Sequence, residues 1–524
     1  MQIGRIELFT DVPEITYENI IPILQTVFPL HQQNASRINY LLEYEAGNQP
    51  LMRSKGYRKD IDCKCIDNVA HEIAKFHIGY KWGIPITIVQ RGNIDSGKQD
   101  EVCAISLLNE QYEMQFVRKK TQRLARFVEI GGVGYTFVDI NSDYEDGDSF
   151  FNIEALDPRT TFVVRSNYYY DKRIMISGTY RTDTKGNHYF TCFTNDYRFE
   201  ILNLVKITNG NRVIQKESWS HDERSGEKNP LTINPIIEWV RSDDRMGCFE
   251  RQIPDLDNLN LLVSDFTNDV DQNTQTIWHC NDIDFPVEIV KLSDGTEREV
   301  IKKPATNDWM QTYTSQDGKT PFVKPLAVEY DYQGMLNNII FRRLTILQNA
   351  DVPCRNDNSG GSTGIAMSDA TGWSNAETVA SAQQNIMEGA KLEEVKVVLK
   401  AIKNSSFVPS DNELLSLSYR DCQPNIKRNK TYELSSKANA WATLISHGMD
   451  GYHALKTVNL VEDVNQVWAD SKKSVEMYQM SVFGEQGKEN SGNNAVGGDG
   501  ESKPNSDRLQ ADYSDQIENS PQLN

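Results

Sequence analysis

The sequence predicts an α+β fold, and two patterns support this. Apolar residues recur three and four positions apart near the N-terminus, between residues 255 and 279, and again after residue 331, which is the spacing of amphipathic helices. Between residues 123 and 202, by contrast, apolar and polar residues alternate, with Gly, Asn and Asp between the runs. We therefore expect a mostly antiparallel sheet combined with long helices.

The composition is that of a globular protein and disfavours several functional classes. Hydrophobic residues make up 38% of the 524 positions and charged residues 25%, which suits roughly two to four domains. No run of about 18 apolar residues occurs, and the first residues lack the layout of a secretion signal, so we expect no membrane partner and assembly in the cytoplasm. The net charge of −19 argues against tight, sequence-independent binding of nucleic acid.

Cysteine spacing gives no metal site. Only Cys63 and Cys65 of the eight cysteines lie close together, and neither a second pair nor a nearby histidine accompanies them. His71 and His77 are six residues apart, which places them on different faces of a helix. The prediction is reduced structural thiols, no metal and no cofactor.

The N-terminal third begins with a helical arm. Residues 1–60 are predicted to contain helices over 17–28 and 37–46, the second ended by Gly47 and Pro50. A further helix is expected over residues 66–80, followed by a short strand over 84–89. From Arg123 the pattern predicts strands, and three glycines there are interpreted as a strand bend and not as a phosphate loop; they are Gly131, Gly132 and Gly134.

A long helix is predicted over Asp255–His279, and its apolar residues form one narrow seam. The seam residues are Leu256, Leu259, Val263, Phe266, Val270 and Ile277. So narrow a seam suits packing against like helices better than burial in a globular core. An ordinary amphipathic surface helix is the alternative.

The remainder of the chain alternates helices with looser segments. Short strands with Asp-Gly turns are expected over 281–330, then a helix over 332–349. A Gly-rich and Ser-rich stretch follows, and Ser374 with Glu377 predicts a capping box for a helix ending near residue 403. Helices are again expected over 411–480, before an acidic tail that is predicted to be disordered.

No catalytic motif is found. The sequence lacks GxxxxGK[ST], GxSxG and HExxH, so no catalytic residue is assigned. Asp265 and Asp269 share one helix face and could in principle hold Mg²⁺, as in a nuclease, although no general base or phosphate-binding cation lies nearby. A metal-dependent DNA-processing enzyme therefore stays open as an alternative, as does a monomeric binding module.

Four segments resemble the portal proteins of long-tailed bacteriophages, in particular those of phages of Gram-positive hosts. They are IDNVAHEIAKFHIGYKWGIPITI (66–88), RFVEIGGVGYTFVDI (126–140), ALDPRTTFVV (155–164) and NPIIEWVRSDDRMGCFERQIPDLDNLNLLVSDFTNDVDQ (234–272). The resemblance implies a portal fold with an α/β wing, a long-helix stem, a small β-containing clip and a helical crown. The implied divisions are wing 1–254, stem helix 255–280, clip 281–330, second stem helix 331–350, tunnel loop 351–373, joining helix 374–404, crown 405–483 and tail 484–524.

The resemblance also implies a function without catalysis. Such proteins form a ring of twelve subunits at one capsid vertex, around a channel for DNA packaging and ejection. The implied partners are double-stranded DNA, the terminase large subunit, the head-to-tail adaptor, and the major capsid and scaffolding proteins, all within a virion assembled in the host cytoplasm. The tunnel-loop residues that would face DNA are Arg355, Asn356, Asp357, Asn358, Ser359, Gly360, Gly361 and Ser362.

Overall fold

The computed structural model describes most of the chain up to residue 458 and a few positions beyond it. The described ranges are 4–51, 62–91, 99–168, 172–202, 227–274, 278–281, 287–291, 295–301, 322–325, 331–354, 372–428 and 433–458. The chain divides into two compact units, residues 1–431 and 432–524. Helices and antiparallel sheets occur together, so the α+β prediction is confirmed.

Seven long helices belong to the described part of the first unit and two helices to that of the second. In the first unit they are α1 (Tyr17–Glu45), α2 (Val69–Trp82), α3 (Gln99–Met114), α4 (Val117–Gly131), α5 (Ile253–Thr274), α6 (Tyr332–Asn349) and α7 (Trp373–Asn404). In the second unit they are α8 (Glu433–Ser446) and α9 (Gly451–Val458).

The strands form two larger sheets and three two-stranded ones. In chain order they are β1 (Leu8–Thr10), β2 (Thr87–Gln90), β3 (Val133–Ile140), β4 (Phe151–Leu156), β5 (Thr161–Ser166), β6 (Ile174–Thr182), β7 (His188–Phe193), β8 (Tyr197–Leu202), β9 (Glu227–Lys228), β10 (Ile236–Val240), β11 (Trp278–Asn281), β12 (Val287–Lys291), β13 (Glu297–Ile301), β14 (Phe322–Pro325) and β15 (Cys422–Asn425). The sheet orders are β1-β5-β6-β7-β8-β9, β10-β3-β4, β11-β14, β12-β13 and β15-β2. Only the β1–β5 pair is parallel among these, so the mostly antiparallel arrangement is confirmed.

Helices α5 and α6 run antiparallel. Leu256 and Leu259, near the start of α5, share one core cluster with Ile346 and Leu347, near the end of α6. At the other end, the ring of Phe266 meets the ring of Tyr332 edge-on, with centroids 6.1 Å apart. Strand β11 follows α5 closely and pairs with β14, which precedes α6. The small β segment therefore connects the two helices at the end where Phe266 lies.

The predicted pair of N-terminal helices is wrong, because α1 is one continuous helix of 29 residues. Its core-facing positions continue at the same spacing through the polar middle, where His31 and Asn34 are buried. Asn34 exchanges two hydrogen bonds of 2.8 Å with the backbone of Ile6. The pattern of apolar residues stops in the middle of α1, but the helix continues because polar side chains occupy its buried positions there.

The strands predicted from Arg123 onwards are confirmed only from Val133, because residues 123–131 lie in α4. Its residues Leu124 and Val128 are buried one turn apart, which is a helical spacing. Gly132 ends the helix with φ of 79°, in the left-handed region that glycine adopts at low cost. The three glycines are thus a helix end and the start of β3, and not a strand bend. Helix α3 was not predicted at all.

Three further boundaries differ from the predictions. His279 lies in β11 and not in the long helix, which ends at Thr274. The predicted capping box at Ser374 is wrong, because α7 begins at Trp373 after Gly372, and Glu377 instead accepts a hydrogen bond of 2.5 Å from the Tyr80 hydroxyl. Residues 422–425, expected to be helical, form β15 and pair with β2.

Candidate functional site

The predicted tunnel-loop residues, Arg355 to Ser362, lie outside the described residues, and so does Ile277 of the predicted seam. The structure does describe the two ends of this loop, at Cys354 and Gly372. A Cβ atom added to Gly372 would lie 3.9 Å from Cα of Pro353. The loop therefore leaves and re-enters the fold at one place, which we call the loop base (residues 349–354 and 372–375).

Hydrogen bonds from three directions hold the loop base. Asp351 has φ of 58° and accepts a hydrogen bond of 2.7 Å from the side-chain amide of Asn375, at the start of α7. His77 of α2 binds the carbonyl oxygen of Ala350 over 2.8 Å. Gln252 donates to the carbonyl oxygen of Asn349 over 3.0 Å. The first residues of the loop are thus fixed relative to α2, to the turn that precedes α5, and to α7.

Burial determines the protonation state of His77. Desolvation, with a smaller contribution from the positive charge of Lys81, lowers the pKa of His77 to about 3. The imidazole is therefore neutral near pH 7, and its Nε2–H is the donor to Ala350 because a carbonyl oxygen can only accept.

A buried charge cluster lies beneath the loop base, where α2, α4 and α7 meet. The carboxylate of Glu129 accepts hydrogen bonds from Lys81 Nζ (2.6 Å), Trp82 Nε1 (3.0 Å) and Arg241 Nε (3.1 Å). Lys81 also donates to Gln383 Oε1 of α7 over 2.7 Å. Lys81 of α2 therefore joins all three helices, through Glu129 of α4 and Gln383 of α7.

The pKa values of Glu129 and Lys81 are both lowered, the first by neighbouring charges and the second by burial. Burial alone would raise the pKa of Glu129, but the charges of Lys81 and Arg241 outweigh it and lower the pKa to about 2. Desolvation lowers the pKa of Lys81 to about 8, although Glu129 opposes the shift. The cluster carries charge that only its internal partners compensate.

The predicted seam of α5 divides into a buried half and an exposed half. Leu256 and Leu259 are buried inside the chain, and Val263 packs beside them. Phe266 contacts Tyr332, whereas Val270 is 38% exposed. The first half of the seam is therefore used within one chain, and free apolar surface remains near the end of α5.

A second stripe on α5 was missed by sequence reasoning. Asn260, Ser264 and Asn268 are buried polar residues four positions apart. They hold the extended segment 62–68, which we call the strap. Their partners are the backbone N–H groups of Asp67 (2.9 Å), Cys65 (3.0 Å) and Cys63 (2.7 Å), respectively. The Asn-Ser-Asn spacing of four was the available signal.

The geometry of the ladder follows from two repeats. Four residues of helix advance about 6 Å, and two residues of extended chain advance about 6.6 Å. A helix with polar side chains at every fourth position can therefore hydrogen-bond every second residue of a strand laid along it. Ser264 and Asn268 complete this pattern by donating to the carbonyl oxygens of Cys65 (3.1 Å) and Cys63 (3.2 Å).

The outward surface of α6 is apolar and lacks a covering element within the described residues. Leu336 is 39% exposed, Ile340 47% and Phe341 66%. Arg343, one turn after Ile340, binds both carboxylate oxygens of Asp67 (2.7 and 2.6 Å) and also Glu72. Helix α6 is thus anchored by Arg343 and also exposes large apolar side chains.

Asp265 and Asp269 lie on α5, as predicted. Among the residues that the structure describes, no group of three or more His, Cys, Asp or Glu side chains could hold a metal ion. Within the same residues, no helix has the length and apolar character needed to cross a membrane.

Comparison with known proteins identifies a family, and the similar solved structures include chains of two particles. The family model described as "Phage portal protein, SPP1 Gp6-like" matches residues 25–480. A chain from the neck of an empty GTA particle, computed with C6 symmetry, is 13% identical with a TM-score of 0.41 over 79% of this chain and 96% of that chain. A chain from the virion of a native gene transfer agent (GTA) particle is 12% identical with a TM-score of 0.36 over 81% and 99%. No curated protein matches.

Proposed function

The chain belongs to the phage portal proteins of the SPP1 Gp6-like family, and from this we propose that twelve copies form a ring at one capsid vertex, around a channel for double-stranded DNA. The family match over residues 25–480 carries this proposal. The ring would conduct DNA during packaging and ejection, and a separate terminase ATPase would supply the mechanical work. The portal itself would have no catalytic role.

Within this proposal, the antiparallel helices α5 and α6 form the stem, and β11–β14 form the clip. The clip would meet the terminase large subunit during packaging and the head-to-tail adaptor afterwards. Residues 1–254 would form the wing, 374–404 the joining helix and 405–483 the crown. The capsid and scaffolding proteins would contact the assembled ring, in a virion built in the cytoplasm of a Gram-positive host.

The apolar surface of α6 supports a contact between neighbouring copies. Phe341 and Ile340 are large and exposed. Burying their apolar surface against a second copy would stabilise the contact by about 25 cal/mol for each Å² removed from water. Leu256 and Leu259 are buried within their own chain and have no surface to offer a second copy. We therefore assign the ring contact to α6 and to Val270, near the end of α5.

The acidic composition fits a channel that DNA must slide through. Each chain carries a net charge of −19, and a ring multiplies this charge by its copy number. Walls of that sign do not retain phosphates as basic walls would. Weak contacts would come from the tunnel loop, where Arg355 offers a cation beside Gly and Asn residues.

Electron microscopy and native mass determination of the purified chain test the proposal. We expect rings of about a dozen subunits with a hole of at least roughly 20 Å, wide enough for a duplex. Phe341→Asp should shift the population to smaller species, because it puts a charge into the proposed contact. Phe116→Asp, at an exposed phenylalanine on the loop before α4, is the matched control and should leave rings intact.

A single low-mass species at all concentrations would contradict the ring and favour a monomeric binding module. Equal loss of rings in both Asp variants would contradict the assignment to α6. Mg²⁺-dependent cleavage of plasmid DNA that Asp269→Ala abolishes would instead support the nuclease alternative.

The tunnel loop has its own test. Deletion of residues 359–364 should leave rings intact but lower DNA packaging or retention, because the loop would no longer reach the channel axis. Loss of rings in this variant would contradict the placement of the loop.

A further inference from the structure

The cysteines of the described residues fall into two classes. Cys192, Cys248, Cys354 and Cys422 are buried, and burial raises the pKa of each thiol, to about 12 for all but Cys354, so they are inert apolar side chains. Cys63 and Cys65 lie instead on the strap, where Cys63 is exposed and Cys65 is half-buried. Their sulfur atoms are 3.6 Å apart.

The strap geometry explains why the two sulfurs meet. Side chains at alternate residues of an extended chain point to the same side, and the hydrogen bonds to Ser264 and Asn268 hold the backbone in this form. The Cys65 sulfur also lies 3.5 Å from the Thr267 hydroxyl on α5. The dithiol is thus held together by the same ladder that attaches the strap to α5.

From this geometry we propose that Cys63 and Cys65 form a redox-active dithiol that a small disulfide, such as oxidised glutathione, converts to a disulfide within the strap. The thiolate of exposed Cys63 attacks one glutathione sulfur and displaces one glutathione thiolate. Cys65 then loses its proton, attacks the Cys63 sulfur and displaces the second glutathione. Two protein thiols are oxidised and one glutathione disulfide is reduced to two thiols.

The second step is favoured because it is intramolecular. The attacking and attacked sulfurs start 3.6 Å apart, which gives the resolving thiol a high effective concentration. The first step is slower, because the hydrogen bond with Cys65, followed by the charges of Cys65, Asp271 and Asp62, raises the pKa of the Cys63 thiol. A mixed disulfide should therefore not accumulate.

Formation of the disulfide should loosen the strap. Alternate Cα atoms of an extended chain are about 6.4–6.8 Å apart, at the upper limit of the Cα separation across a disulfide, which is about 4.4–6.8 Å. Closing the ring draws Cys63 and Cys65 together, out of register with Ser264 and Asn268. The hydrogen bonds at both ends of the ring then weaken.

Peptide mass spectrometry of the full-length protein after treatment with oxidised glutathione tests the chemistry. We expect the peptide containing residues 63–65 to lose two hydrogens, with no glutathione adduct. In Cys65→Ser the resolving thiol is absent, so Cys63 should keep a glutathione adduct. A stable adduct on the wild-type peptide, an unchanged peptide or a crosslink between chains would each overturn the proposal.

Hydrogen exchange tests the structural consequence. The backbone amides of Cys63 and Cys65 should exchange at least tenfold faster in the oxidised protein than in the reduced protein. The Cys63→Ser, Cys65→Ser double variant should show no change on the same treatment. Equal protection of these amides in the reduced and oxidised wild type would overturn the claim that oxidation loosens the strap.

Discussion

The imidazole of His77 donates a hydrogen bond of 2.8 Å to the carbonyl oxygen of Ala350, which lies 273 residues later in the chain. Ala350 is the C-cap of α6, just before the predicted tunnel loop. The contact therefore fixes the loop base to α2. Burial keeps the imidazole neutral, and the cost of charging a buried ring makes the loop base sensitive to acid.

His77→Gln should reduce the dependence of stability on pH. The pKa of His77 is about 3 in the folded protein against an ordinary value of 6.5, because burial disfavours the charged form. Between these values the unfolded chain binds a proton that the folded chain does not, so the contribution of His77 is complete above about pH 6.5 and is lost as pH falls towards about 3. Urea denaturation at several pH values gives the free energy of unfolding as a function of pH. In the variant this free energy should change with pH less steeply than in the wild type, by up to about 1.4 kcal/mol per pH unit.

His71→Gln is the matched control, since His71 lies on the same helix with a side chain 56% exposed. This variant measures the effect of the same substitution on α2 without the loss of a buried imidazole. Buried His31, whose pKa desolvation lowers to about 4, contributes with the same sign and remains in both variants. If the free energy of unfolding of His77→Gln changed with pH as steeply as that of the wild type, His77 would not be buried in its neutral form.

Glu129→Gln should be strongly destabilising. The substitution keeps the shape of the side chain but leaves Lys81 and Arg241 without their shared counter-charge in a buried site. Breaking a buried ion pair in this way costs about 3–5 kcal/mol. The free energy of unfolding from urea denaturation measures the loss.

The same substitution at Glu113 provides the control. Glu113 pairs with Arg118 at 3.0 Å on the surface, where both side chains are more than half exposed, and such pairs contribute about 0–1 kcal/mol. Adding Lys81→Met to Glu129→Gln should recover part of the stability. Equal costs for Glu129→Gln and Glu113→Gln would show that the buried cluster is dispensable.

The sequence predicts α6 and α7 from their apolar core positions, whereas α3 and α4 were missed although their core positions are apolar too. The bounds of α6 match the expected 332–349, and α7 differs from the prediction by about one residue at each end. On α1 and α5 the predictions fail where buried positions are polar. His31 and Asn34 interrupt the apolar pattern of α1. The polar residues Asn260, Ser264 and Asn268 of α5 suggest a solvent-exposed stripe, although the strap buries them.

The candidate site was predictable only in part, for the same physical reason. The seam of α5 is visible in the sequence, but which half of it is buried depends on α6, which follows far along the chain. Lys81 and Glu129 carry no local signal of burial, because the partners that compensate their charges come from α7 and from the segment after β10.

Gly247→Ala should destabilise the protein, whereas Gly79→Ala should stabilise it. A Cβ atom on Gly247 would lie 2.1 Å from the carbonyl oxygen of Ile130, and this backbone atom cannot move aside independently. Gly79 lies inside α2 with no atom within 4 Å of such a Cβ. We expect a loss of about 1–3 kcal/mol for the first variant and a gain of about 0.5–1 kcal/mol for the second. Thermal denaturation of both variants measures the difference, and a shift of the same sign in both would contradict the close approach at Ile130.

Asn268→Ala should release one end of the strap and leave the other attached. Asn268 accepts from the amide of Cys63 at 2.7 Å and donates to its carbonyl oxygen at 3.2 Å. The amide of Cys65 is held separately by Ser264. Amide exchange at Cys63 should therefore accelerate strongly, with a smaller change at Cys65, because removing a buried partner costs about 1–3 kcal/mol.

Val270→Ala, two residues along the same helix, controls for a general effect on α5, since this side chain is 38% exposed and has no polar group to hydrogen-bond the strap. It should leave exchange at both cysteines unchanged. Ser264→Ala should reverse the pattern and accelerate Cys65 more than Cys63. If Asn268→Ala and Ser264→Ala accelerated both amides equally, the strap would be released as one unit, and the residue-by-residue ladder on α5 would be refuted.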